Sequence, residues 1–272
     1  MGLPGGGVAN PGDIRFPIKG IPILINPPLP PNKKNCEQLK NWSNQQQPTL
    51  KVLYNNRNDI REHGRAFKLN INQTTGARSI VADNAPIPLT PGNAFQLNVT
   101  ANIGGAYVGI SHTHTNPNTT QSDGSKRLPI FSATDILALI RLANGFENTT
   151  DRNFNDFFFT LTTNAGTYAL KLPSINYVDF ISKFRVFLTN KEKQKKLHDE
   201  IRKKYDNLVR DTPNPSSNQY EEALLMALDK VDLKIEVYKT ENNNGNFGGD
   251  WNQLNLDKKA VGNKVVENLV QH

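Results

Sequence analysis

His112 and His114 stand two apart at the end of a short apolar run, Ala106-Tyr107-Val108-Gly109-Ile110, with Ser111 between. Residues two apart on a strand point to one face, so both imidazoles can converge on one ion, at about 2.0 to 2.1 Å from each nitrogen if the ion is zinc. Asp135, in the first turn of the helix that Ser132 opens, offers a third ligand and leaves a fourth position for water, as a catalytic zinc requires. The same residues have a plainer reading. Two histidines at a strand end can be satisfied polar residues, and Ser132-Ala133-Thr134-Asp135 ahead of an apolar run is a helix N-cap with an acid favoured by the helix dipole.

The flanking sequence supplies the elements that would hold these groups. Leu50, Leu53 and Tyr54 have helical spacing, and Ile60 to Ile71, with Ala66, Phe67, Leu69 and Ile71, reads as a strand. Ala82 to Pro91 contains three prolines and is expected to be loop, whereas Phe95 to Val99 alternates like a half-buried strand. Ile136, Leu137, Ile140 and Leu142 give the helix after Ser132 an apolar face. Phe157 to Leu172 reads as a hairpin turning at Asn164-Ala165-Gly166. Thr189-Asn190-Lys191-Glu192 has capping-box form ahead of a charged amphipathic helix whose face is Leu197, Ile201, Tyr205 and Leu208. A further helix is expected over about Gln219 to Asp229, a strand over Leu233 to Tyr238, and a Gly/Asn loop over Asn242 to Gly249. Helices and strands interleave, which implies a mixed α/β or α+β domain.

Composition narrows the function classes. At 272 residues the chain can bury a sizeable core, and no apolar run approaches the length that spans a bilayer, so a transmembrane protein is excluded. The start, Met-Gly-Leu-Pro-Gly-Gly-Gly, has no secretory-signal pattern, which makes the cytoplasm the default expectation. A single cysteine, Cys36, allows neither an internal disulfide nor a thiolate zinc site, so any metal must use histidine and carboxylate. The formal charge is +7, and Lys183 to Arg210, with ten basic and four acidic residues, supplies +6 of it. Charge confined to one amphipathic segment with few interleaved aromatics describes a solvated helix better than a nucleic-acid groove. Trp42 and Trp251 are expected to be packing residues.

A strand ending in His112-Thr113-His114, a loop, and Phe131-Ser132-Ala133-Thr134-Asp135-Ile136 opening a helix resembles the JAMM (JAB/MPN) zinc metallopeptidase family in a divergent, bacterial-type form. The family also uses a glutamate at a helix-to-strand junction, and Glu62-His63-Gly64-Arg65-Ala66-Phe67 is similar to that element; the neighbouring His63 matches no family position. The resemblance covers roughly Thr49 to Leu172. It implies a JAB/MPN-like, cytidine-deaminase-like core, Zn2+ on His112, His114 and Asp135, Glu62 as the group that moves the proton, and Ser132 as a stabiliser of the oxyanion. The implied reaction is hydrolysis of a peptide or isopeptide amide through a metal-activated water. The chain departs from the family pattern in having Thr115 after the second histidine and a long loop from Thr115 to Phe131, an insertion that costs little closure entropy and is expected to reshape the substrate groove.

Three regions follow: a Pro/Gly-rich arm over 1–34, a metallopeptidase-like domain over 35–175, and a charged helical region with a short strand over 176–272. The alternative is a non-catalytic scaffold on the same fold, its metal site degenerate or structural, attached to a larger assembly through the arm or the charged helix.

Overall fold

The computed structural model describes residues 33–114, 129–147, 150–241, 247, 249–261 and 264–271. The arm expected over 1–34 lies outside them except for its last two residues, as do most of the Thr115 to Phe131 loop and most of the Asn242 to Gly249 loop.

Two helices come first, α1 (Lys33–Gln45) and α2 (Gln47–Asn55). The strands β1 (Gly64–Ile71), β2 (Arg78–Pro86), β3 (Leu89–Thr90), β4 (Asn93–Leu97) and β5 (Tyr107–Thr113) follow, then helix α3 (Ala133–Gly145). A hairpin, β6 (Phe158–Thr163) and β7 (Gly166–Lys171), leads to α4 (Tyr177–Phe180) and α5 (Val186–Thr189), which flank a π-helical turn at Ile181–Arg185. Helices α6 (Lys191–Asp211) and α7 (Ser217–Lys230) precede β8 (Glu236–Thr240), β9 (Asn252–Val261) and β10 (Lys264–Gln271). The chain is mixed α/β, built on one eight-stranded sheet in the order β10-β9-β8-β7-β6-β5-β1-β2. Only β5 and β6 are parallel, because α3 crosses over between them; every other neighbouring pair is antiparallel. Strands from after residue 176 thus continue the sheet that carries His112.

Alternation along the strands sorts the side chains into two buried layers. One face presents Ala66, Ile110, Phe159, Leu161, Leu170, Val237 and Leu254 to α3, α6 and α7. The other presents Phe67, Phe158, Ala169 and Tyr238 to α1 and α2, where Leu39, Trp42, Leu50 and Trp251 complete a second cluster. Both tryptophans are therefore core residues, buried to within 5% exposure. Gly109 is glycine because the Phe158 ring lies where its Cβ would be.

Two readings need correction. Ala82 to Pro91, expected as loop, contains the end of β2 and the whole of β3. Strand β2 is the outer strand of the sheet and pairs only with β1, and an edge tolerates Pro86 at its last position since no second neighbour needs its missing N–H. The capping box expected at Thr189 does not form: Asn190 alone caps α6 by accepting from Lys193 N, since lysine at the third position cannot accept in return, while Thr189 ends α5 and donates its hydroxyl back to Val186 O.

Candidate metal centre

His112 is placed by β5 and His114 by the residue just past its end, both on the face that packs under α3. Asp135 comes from the first turn of α3, so the centre sits where a strand end meets a helix N-terminus. Local sequence explains the helix start. Ser132 accepts from Asp135 N, and the Asp135 Oδ2 carboxylate oxygen accepts from Ser132 N at 2.7 Å, closing a reciprocal capping box.

His112, His114 and Asp135 offer ligand atoms that all lie within 4.8 Å of one another. Asp135 Oδ1 is 3.4 Å from His112 Nε2, and Oδ2 is 3.5 Å from His114 Nε2. The three residues are 2%, 7% and 9% exposed, so each polar atom must find a partner or a cation here. The carbonyl of Thr160 on β6 accepts from His112 Nδ1 at 2.8 Å. A carbonyl cannot donate, so Nδ1 carries a proton, and in the neutral imidazole the lone pair is on Nε2, facing Asp135. His112 Nε2 is fully buried and makes no hydrogen bond. Two imidazoles and a carboxylate so placed could hold a metal ion, with the backbone carbonyl of Thr160 orienting His112 from outside.

Burial by itself would raise the Asp135 carboxyl, but when the histidines are protonated the charge of His112 and its contact with the carboxylate, and then His114, outweigh burial and hold the group well below the usual carboxylate range. Asp135 is thus an anion held between the two imidazoles. Phe159 and Phe131 wall the His112 ring at centroid distances of 4.9 and 6.4 Å, keeping that side apolar.

Glu62 lies just ahead of β1. Gly64 pairs with His112 across the β1–β5 ladder, Thr113 N donates to His63 O at 2.9 Å, and His63 N donates to the Thr113 hydroxyl, so the segment that carries Glu62 is tied to the end of β5. Glu62 is 8% exposed. His63, one residue on, points to the opposite face and pairs with Asp59 at 2.8 Å, which removes it from the centre. Gly64 itself is required by close approach: a Cβ there would come within 2.4 Å of Leu97 Cδ1 on β4 and 3.3 Å of Ile87 Cδ1. The Ser132 hydroxyl donates to Asp135 Oδ2 at 2.9 Å, so it lies beside the cluster but is committed to the carboxylate.

No protein-family model, curated protein or solved structure matches this chain. The functional reading therefore rests on the geometry of these residues and the resemblance of their motif.

Two contributors escaped the sequence. Thr160 acts through its backbone carbonyl, which no residue type announces. Tyr205, legible only as one position on the apolar face of α6, donates its hydroxyl to Phe131 O at 3.1 Å, immediately before Ser132.

Proposed function

We propose that the chain is a JAMM-like metallohydrolase with a JAB/MPN-type core, hydrolysing a peptide or isopeptide amide bond, with zinc held by His112, His114 and Asp135. The observation that carries the reading is the buried cluster itself: His112, oriented by Thr160 O and with a buried Nε2 that makes no hydrogen bond, together with His114 and Asp135, all offering ligand atoms within 4.8 Å of one another. Zinc in that place would supply a Lewis acid and bring the pKa of a water from 15.7 to about 7. The chain's own groups would do the rest. The Glu62 carboxylate, two residues before the Gly64 that pairs with His112, would take the proton of the attacking water and return it to the nitrogen of the leaving amine. The Ser132 hydroxyl, which donates to Asp135 Oδ2, would turn to donate to the oxygen on which charge develops. The apolar wall of Phe131 and Phe159 would keep bulk water out and strengthen each of these interactions.

Among the described residues no helix is long and apolar enough to cross a membrane. A peptide or protein segment is the substrate class that the amide chemistry implies.

The test is metal analysis of protein purified without chelators, beside His112→Ala and His114→Ala, together with hydrolysis of peptide and isopeptide-linked substrates. About one zinc per wild-type chain, lost from both variants, with chelator-sensitive and zinc-restored hydrolysis, is the expected result. Zinc undiminished in both variants removes the assignment. Zinc present with no hydrolysis would point instead to a structural metal on a scaffold.

A further inference from the structure

Helix α6 lies outside the Thr49 to Leu172 segment that carries the family resemblance, yet one of its residues reaches the metal centre. Tyr205 is 3% exposed, and its hydroxyl donates to the Phe131 carbonyl at 3.1 Å. That carbonyl belongs to the same peptide group as the Ser132 N–H, which donates to Asp135 Oδ2 at 2.7 Å. Accepting a hydrogen bond at its oxygen makes a peptide group a better donor at its nitrogen, because resonance across the C–N bond moves charge from one end to the other. An unbroken line therefore runs from the Tyr205 hydroxyl, through the Phe131–Ser132 peptide, to the carboxylate. Burial, and then the negative charge of Asp135, push the Tyr205 hydroxyl well above the ordinary tyrosine range, so it remains a donor wherever the protein is folded at ordinary pH.

We propose that Tyr205 is a positioning residue of the metal centre: through the Phe131–Ser132 peptide it holds Asp135 Oδ2 in place and leaves Oδ1 turned toward His112 Nε2, so that α6 completes the site. The inference rests on the metal reading above. Asp135 is held by the Ser132 amide and hydroxyl and by the two histidines, and because Ser132 precedes the helix its amide needs a fixed peptide behind it; a ligand displaced by a fraction of an ångström loses affinity. The Tyr205 ring is fixed on the opposite side by Tyr220 of α7, at a centroid distance of 6.0 Å, so the support is anchored in the helical layer.

Tyr205→Phe keeps the ring and deletes the donor. Three quantities are measured: Zn2+ affinity by competition with a chromophoric chelator, the visible band of the Co2+-loaded protein, and the amide-proton shift of Ser132 in metal-free protein. Leu197→Ala, a buried α6 change with no bond to Phe131, is the control for general destabilisation. Tyr205→Phe is expected to weaken Zn2+ binding by roughly 10- to 100-fold, to alter the Co2+ band, and to move the Ser132 amide upfield. Leu197→Ala should melt at lower temperature yet keep wild-type Zn2+ affinity in the folded state. Wild-type Zn2+ affinity in Tyr205→Phe, or an unmoved Ser132 amide, overturns the inference. So does a loss of affinity in Leu197→Ala as large as that in Tyr205→Phe. Wild-type protein that binds neither Zn2+ nor Co2+ while the Ser132 amide still responds to Tyr205→Phe overturns the metal reading, and with it the role though not the hydrogen-bond line.

Discussion

Gly64 pairs with His112 across the β1–β5 ladder, and Glu62, buried to 8% exposure, lies two residues before it in the chain. Backbone pairing thus ties the segment that carries this carboxylate to the strand that carries His112. Glu62→Gln is nearly isosteric and alters no proposed ligand. It is expected to retain zinc and melting temperature while lowering amide hydrolysis by roughly 10²- to 10⁴-fold, through loss of proton transfer. Metal analysis beside steady-state kinetics checks this, and a variant that lost its zinc would make Glu62 a ligand.

Ser132 and Asp135 both cap the helix start, and both have roles in the proposed metal centre; paired variants separate the two. Asp135→Asn can still accept from Ser132 N, so it should fold with little change in melting temperature but lose zinc, since a neutral amide replaces the anion. Ser132→Ala removes the cap and should cost about 1 kcal/mol in a denaturant titration of metal-free protein while zinc is retained. Equal zinc content in Asp135→Asn and wild type would show that the carboxylate serves the cap alone.

Lys171 predicts a pH dependence of stability. Burial, only partly offset by Asp156 and Glu236, brings its amine down to about 8 from an ordinary value of 10.5. Above pH 8 the folded state has released a proton that the unfolded chain still holds, so the unfolded state binds more protons and stability rises with pH. The rise ends as pH reaches the unfolded value. The Lys171 contribution should approach one proton, about 1.4 kcal/mol per pH unit, between roughly pH 8 and 9.5; the Cys36 thiol, raised by burial from 9.0, opposes it within that window and the buried Tyr168 and Tyr238 hydroxyls oppose it at higher pH, so the difference between wild type and variant isolates the lysine. Urea denaturation across that window in wild type and Lys171→Met tests it; a slope unchanged by the substitution would assign the effect to other groups.

Glu221 of α7 lies fully buried between the Tyr168 hydroxyl, which donates to it at 2.7 Å, and Lys239 Nζ at 3.0 Å. Removing one partner of a buried ion pair leaves the other uncompensated, a cost of about 3 to 5 kcal/mol. Glu221→Gln should therefore lower stability by about that amount, and Glu221→Gln with Lys239→Met should recover much of it. A loss below about 1 kcal/mol in the single variant would mean that exposed Glu241, 3.8 Å from Lys239, neutralises the lysine unaided.

Short-range patterns were legible in the sequence by itself. The apolar run ending in His112-Thr113-His114, the Ser132 cap, the hairpin turning at Asn164 and Ala165, and the Leu197, Ile201 and Tyr205 face of α6 each depend on side chains a few residues apart, where periodicity and capping are written. Elements defined by distant partners were not. The largely polar α1 docks through Asn35 on Glu236 and Ser43 on Trp251, and β9 and β10 add themselves to β8 with charged residues interrupting their alternation. Only the folded sheet decided that Gly64 faces His112, that Thr160 O sets the His112 tautomer, and that Tyr205 reaches Phe131. The physical reason is common to all three. Backbone carbonyls and amides are the same in every residue, so contacts made through them leave no mark on residue types and exist only once strand order and helix docking have brought the chain together.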